Sequence, residues 1–522
     1  MLLLRCLNTI LFTSSSLLYT PMSNSHRSQN TAKISQAYLD TIKPYIPEWS
    51  SLEEYLSTCL KPLKKSITIN TDRVSVEDFL EMTSAMGWTL TPEKFSNDNR
   101  TYYIDREDLD LALWRTFLYQ CGFFYIQEVA ASIPATLLEC KPWEVILDMA
   151  AAPGGKASQI ATRVRTQADK AWEAAWIVIA NDIASSRIKT LAHNLNMQSA
   201  SSSAITKFNG WMFGNHLPEF FDHVLVDAPC SGEWTGFKSD HALTFWKQEE
   251  INKIAWTQFQ LLVSASKATK PWGTIIFSTC TLNPYENEII LARVLEFFKW
   301  AIELEPVDLN NVEPWIIPTQ ADDTQTGVKT HIDPTLVARF WPQTQWTWGF
   351  FVSKIRKLKS MPYERHRQHK LLPKNQFSLK TDKALQKNVA IYLRSEFGIE
   401  IDPKQHFFIA SKEKVSVVSP TFMDIQQHLH CEKAWVPILT IDKKLWYRPM
   451  HYLGQIFGDK ATKNTLEFSD EQMQDYTGGS NNLKVEWEPA TSELGYVIIT
   501  RRGYGMSVSK PVQGYWKNKF GK

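Results

Sequence analysis

Between residues 140 and 355 the chain repeats one pattern: a short β-rich run closing on a small or acidic residue, then a segment with helical spacing. Six runs show it, at 145–148, 176–180, 204–208, 223–227, 274–277 and 349–352. Apolar strands that alternate with helices must be covered on both faces, so the expected fold is α/β, a doubly wound Rossmann-like parallel sheet. Such sheets bind ligands outside the carboxyl ends of their strands, near the point where strand order reverses. The residues just after each run are therefore the ones to inspect.

The rest of the chain divides around that sheet. At 522 residues, 43% hydrophobic and 21% charged, the sequence has room for two to four soluble domains. Its 57 Lys and Arg against 55 Asp and Glu, a net charge of +2, exclude a polycation and confine any nucleic-acid footprint to local patches. Seven cysteines without CxxC spacing point to reduced thiols in the cytoplasm and to no metal site. Past residue 21 no apolar run reaches the roughly 18 residues of a membrane span, so no membrane role is expected. Residues 1–21 make a poor signal peptide and read as an extension ahead of Met22. The expected domains are a small α+β unit over 22–121, the sheet domain over 122–356, a basic linker and intermediate region over 357–435, and a C-terminal unit over 436–522. The 20 tryptophans are expected mostly to fill cores. In the last 22 residues Arg501, Arg502, Lys517 and Lys519 interleave with Tyr504, Tyr515 and Trp516, the make-up of a nucleic-acid surface.

The chemistry lies at the strand ends. The first run passes through Asp148 into Ala150, Ala151, Ala152, Pro153, Gly154, Gly155 and Lys156, a small-residue loop that opens a helix and lets a ligand approach the backbone. It is neither GxGxxG nor a P-loop. The second run ends at Asp182, where such sheets hold a ribose diol, and the two features together favour S-adenosylmethionine. The fourth run ends in Asp227-Ala228-Pro229-Cys230-Ser231-Gly232 and the fifth in Ser278-Thr279-Cys280-Thr281. One cysteine at a strand end is usually an inert hydrophobe; two at matching ends on one rim point to thiol chemistry. Glu286 and Glu288 read as first-turn acids favoured by a helix dipole, with no chemical role.

These segments, with GFFYIQE at 122–128 and STCTLNPYENE at 278–288, resemble the Nop/Sun family of RNA (cytosine-5) methyltransferases. The resemblance runs over about 35–522 and extends to bacterial members that act on 16S ribosomal RNA. It implies that Cys280 attacks carbon 6 of the cytosine, Asp227 binds the base edge, Lys156 supplies positive charge and Cys230 assists release. It places S-adenosylmethionine on Ala150 to Lys156, Asp182, Asn209 and Asp227. It further implies a C-terminal RNA-binding unit of the PUA type, a small-subunit ribosomal substrate and a monomer. Two departures stand out: Asn209 replaces the family's usual Asp, and Glu233 to Asp240 replaces a stretch with glycine and arginine, leaving Trp234, Phe237 and Lys238 to meet RNA. Two rival readings stay open, an assembly factor that methylates weakly and the same chemistry on transfer RNA.

Overall fold

The computed structural model describes residues 34–522 apart from 60, 62, 142, 167–176, 234–240, 311–331, 346, 362–381, 403–405, 412, 427, 430, 434–435, 443–446, 480–482, 484–494, 511–515 and 517–522. The expectations for residues 1–21, Trp234, Phe237, Lys238, Tyr515, Lys517, Lys519 and most of the basic linker lie outside the described residues.

The runs at 145–148, 176–180, 204–208, 223–227 and 274–277 appear as the strands Val145–Asp148, Ile177–Asn181, Ser203–Thr206, Phe221–Asp227 and Thr269–Thr279, all parallel to one another. Alternation of side chains explains the two buried faces. Val145, Leu147, Ile179, Val226 and Phe277 enter one core, and Ile146, Val178, Leu225 and Ile276 enter the other. The helix Gln248–Ala268 covers the first face, while Gly155–Thr166 and Ser185–Met197 cover the second. Strand order reverses between Val145–Asp148 and Phe221–Asp227, which puts the ligand crevice beside Asp148 and Asp227.

The sixth run departs from a purely parallel sheet. Phe350–Lys357 lies antiparallel to Thr269–Thr279, and Ile302–Glu305 and Val337–Phe340 add to it antiparallel. Only nine residues separate Val337–Phe340 from Phe350–Lys357, too few for the crossover a parallel neighbour would need. At the opposite edge Cys431–Lys433 pairs antiparallel with Ser203–Thr206, giving nine strands among the described residues.

The expected domain limits shift accordingly. The N-terminal sheet takes in Phe124–Ile126, which pairs with Ser66–Ile69, so that unit runs past residue 121. A limit at 435 would cut a sheet, because Lys414–Val418 pairs with Val436–Ile441. Beyond Lys383 the described residues pack into two cores: Phe422, Ile425 and Cys431 join one core of the nine-stranded sheet, while Val389, Leu393 and Val417 share a core with Ile498 and Val508. Even the start of the basic linker is strand. Lys357 is fully buried, 3.0 Å from the Glu219 carboxylate. The tryptophans divide differently from expectation as well. Trp88, Trp246, Trp341 and Trp516 are buried, but Trp49, Trp114, Trp143, Trp211, Trp256, Trp272 and Trp300 are exposed. Among the described residues no helix is long and apolar enough to cross a membrane.

Candidate active site

The crevice is built from strand ends tied to one another. Ala151 N donates to the Asn181 carbonyl at 2.7 Å, and the Asn181 side chain donates to the carbonyls of Met149 at 3.0 Å and Phe208 at 2.9 Å. One buried asparagine thus fixes three neighbouring loops. Within the first loop Gly154 sits at φ +113°, a conformation that favours glycine, and a Cβ on Gly155 would come 2.8 Å from the Tyr125 ring. The backbone from Ala150 to Lys156 is thereby pressed close, with the helix N-terminus at Gly155 opening toward the crevice.

Asp182 and Asn209 stand at the next two strand ends. Asp182 is 2% exposed; its Oδ1 accepts from the Ala184 amide at 2.9 Å, and its Oδ2 faces Arg187 Nη1 at 3.3 Å without a hydrogen-bond partner among the described residues. Asn209 is half-buried ahead of the short turn Gly210–Met212, and its side chain makes no capping bond there. A glycine cradle, a buried carboxylate oxygen without a hydrogen-bond partner and an uncommitted amide fit an amino acid carboxylate, a ribose diol and an adenine amino group, the three polar parts of S-adenosylmethionine.

Beside this crevice lie the groups expected to act on the substrate. Asp227 and Ser278 are paired across neighbouring strands, and Ser278 Oγ donates to Asp227 Oδ1 at 2.8 Å. Lys156 Nζ donates to the other oxygen at 2.7 Å and lies 5.7 Å from the centre of the Phe350 ring. Burial works against the Lys156 ammonium, but Asp227, then Asp148 and Cys280, outweigh it and hold its pKa above the ordinary lysine value. Asp148 is 1% exposed and makes no well-aligned side-chain hydrogen bond among the described residues; burial, then the charge on Asp227, push its carboxyl up to about 7.

The two cysteine sulfurs meet at 3.1 Å. Cys230 is held well above the ordinary thiol range, first by its hydrogen bond to Cys280, then by burial and by the neighbouring Cys280 and Glu286 charges. Either sulfur can donate to the other. Lys156 meets Asp227, Cys230 meets Cys280, and the Cys280 sulfur lies near enough to act on the Lys156 charge.

Glu286 and Glu288 stand in first helical turns, as expected, and are also buried with partners of their own: Glu286 accepts from the Ser231 amide at 2.8 Å, Gln258 at 3.0 Å and Asn283 at 2.6 Å, and Glu288 pairs with buried Arg339. The Asn283-Pro284 turn carried the signal, because Asn283 Oδ1 accepts from the Glu286 amide and aims that residue back at its own loop. The described part of the C-terminal aromatic and basic patch is also spent internally. Arg501 pairs with Asp470, Arg502 with Glu81, Tyr504 donates to Asp78, and Trp516 is 1% exposed against Phe468. Alternating aromatic and basic residues serve a domain interface as well as they serve RNA.

Residues 135–356 match the model of the 16S rRNA methyltransferase RsmB/F family. The ribosomal RNA small subunit methyltransferase F of Vibrio campbellii is 31% identical over 489 residues, 93% of this chain and 96% of its own. The protein of that name from Salmonella arizonae is 37% identical over 337 residues, 64% of this chain and 65% of its own. A crystal structure of a methyltransferase homolog from Pyrococcus horikoshii superimposes with a TM-score of 0.51 at 26% identity, covering 62% of this chain and 100% of that one. The methyl donor is S-adenosylmethionine, which the crevice residues fit. With a relative at this identity spanning nearly its whole length, the chain belongs to the ribosomal RNA small subunit methyltransferase F family.

Proposed function

We propose that this methyltransferase modifies carbon 5 of a cytidine in 16S ribosomal RNA through a transient bond between Cys280 and carbon 6 of the base. The observation that carries the reading is the 3.1 Å approach of Cys230 to Cys280 beside the Lys156–Asp227 pair.

Carbon 5 of cytosine is too weak a nucleophile to take a methyl group unaided. As the Cys280 thiolate adds to carbon 6, one S–C bond forms and the electrons of the 5,6 double bond make carbon 5 nucleophilic. Asp227 meets the ring nitrogen and amino edge, and Lys156 offsets the charge that gathers there. Bound on Ala150 to Lys156, Asp182, Asn209 and Asp227, S-adenosylmethionine supplies the methyl group and leaves as a neutral thioether. The proton on carbon 5 then passes to solvent water, the C–H electron pair restores the ring double bond, and the S–C bond breaks with Cys280 leaving as thiolate. Cys230, a thiol held 3.1 Å from the Cys280 sulfur, assists that departure by donating its proton toward it. The N-terminal unit and a PUA-like C-terminal unit hold the RNA in this reading, in a monomeric cytoplasmic enzyme; the resemblance supports that part. A cytidine must also leave its stack to reach the thiol.

The test substitutes each cysteine and follows a protein–RNA adduct on denaturing gels. Cys230→Ala should accumulate adduct and Cys280→Ala should form none; the reverse pattern would exchange the two roles. Methyl incorporation into 30S subunits, naked 16S RNA and tRNA identifies the substrate, and tRNA alone as acceptor would overturn the ribosomal assignment.

A further inference from the structure

The loops that carry Cys230 and Cys280 are short, and little regular structure holds either in place. Each is tied instead to one buried carboxylate. Glu286 Oε1 accepts from the amide of Ser231, the residue after Cys230, at 2.8 Å. The same oxygen accepts from Gln258 Nε2 at 3.0 Å, and Gln258 Nε2 also donates to the carbonyl of Pro229, the residue before Cys230, at 2.9 Å. Cys230 is therefore bracketed on both sides by a single Gln258–Glu286 pair. The other oxygen, Oε2, accepts from Asn283 Nδ2 at 2.6 Å, and Asn283 lies three residues past Cys280. Asn283 is itself pinned, its Nδ2 donating to Glu233 Oε1 and to Thr281 Oγ1, both at 2.8 Å. Glu286, Gln258 and Asn283 are all fully buried.

We propose that Glu286 is a positioning residue for methyl transfer: it locks the Cys230 loop to the Cys280 loop and so sets the approach of the two sulfurs. This rests on the covalent reading given above, since only there must Cys230 act on the sulfur of Cys280. A carboxylate suits the place because three donors converge on two oxygens; burial, then the nearby Glu233 charge, raise its carboxyl to about 7, so that both oxygens accept without a proton of their own above that pH. Glutamine does not replace it. A glutamine offers one acceptor oxygen, and its amide would confront the Asn283 or the Ser231 and Gln258 donors with donors of its own.

The experiment uses full-length Glu286→Gln and Gln258→Met beside Cys230→Ala, with purified 30S subunits and labelled S-adenosylmethionine. Glu286→Gln should leave KM for S-adenosylmethionine unchanged while kcat falls on the order of 100-fold, the scale of a misplacement near 1 Å. Protein–RNA adduct should accumulate at the same time. Gln258→Met should move both readouts in the same direction by less. A folded Glu286→Gln enzyme with normal kcat and no adduct would overturn the role. If that variant does not fold, Gln258→Met decides, and normal turnover there overturns it. Should Cys230→Ala itself trap no adduct, the covalent reading fails and the positioning role falls with it. Adduct in Cys230→Ala but in neither other variant removes the positioning role alone.

Discussion

The Cys230 and Cys280 sulfurs lie 3.1 Å apart just past the ends of two neighbouring parallel strands. Both are free thiols. Only about 1 Å of travel separates this arrangement from a disulfide, whose S–S length is about 2.05 Å. Mild oxidation with diamide should therefore join Cys230 to Cys280 and abolish methyl transfer, and dithiothreitol should restore it. Peptide mass spectrometry checks the linkage; oxidised enzyme that keeps full activity would contradict the contact.

Lys156 and Asp227 form a largely buried ion pair at 2.7 Å. Lys156→Met should strand a carboxylate at the base-binding position. The expected result is a loss of turnover of at least about 100-fold and a loss of about 2 kcal/mol in stability, below the cost for a fully buried pair because Asp227 keeps some solvent contact. Urea unfolding and a methyl-incorporation assay measure the two.

Asp148 ties the site to pH. Its carboxyl is raised to about 7 in the folded protein by burial and by Asp227. The folded state therefore holds a proton that the unfolded chain releases near pH 4, and the stability this gives is present below about pH 4 and lost as pH rises toward 7. Asp148→Asn should flatten that part of the stability profile, by up to about 1.4 kcal/mol per pH unit. Urea midpoints of both proteins at pH 4, 5, 6 and 7 make the comparison, and parallel profiles would refute it.

Asp182 presents a buried oxygen to the crevice. Asp182→Ala should weaken S-adenosylmethionine binding about 10- to 100-fold, the range for a hydrogen bond to a charged group, with little change in kcat at saturating cofactor. Calorimetric titration gives the affinity directly. An unchanged Kd would remove Asp182 from the cofactor site.

Local pattern made much of this protein readable. Strand alternation revealed five parallel strands, and the loops after Asp148, Asp227 and Thr279 pointed to the crevice, because strand ends and small-residue turns are properties of short segments. Partnerships formed across long separations were not readable. Glu286 looked like an ordinary first-turn acid until Ser231, 55 residues away, was seen to donate to it. Arg501 and Tyr504 looked like RNA contacts, yet their partners Asp470 and Asp78 lie in other elements.

The amino-acid order alone determined the central α/β sheet, the small-residue loop after Asp148 and the placing of two cysteines past strand ends, since each follows from a few neighbouring residues obeying backbone and side-chain periodicity. Folding in three dimensions settled which charges are consumed internally, how Cys431–Lys433 closes the sheet edge beside Ser203–Thr206, and how a buried glutamate comes to hold two reactive loops. Those outcomes depend on burial and on pairing between segments far apart in the chain, and no local window of sequence contains them.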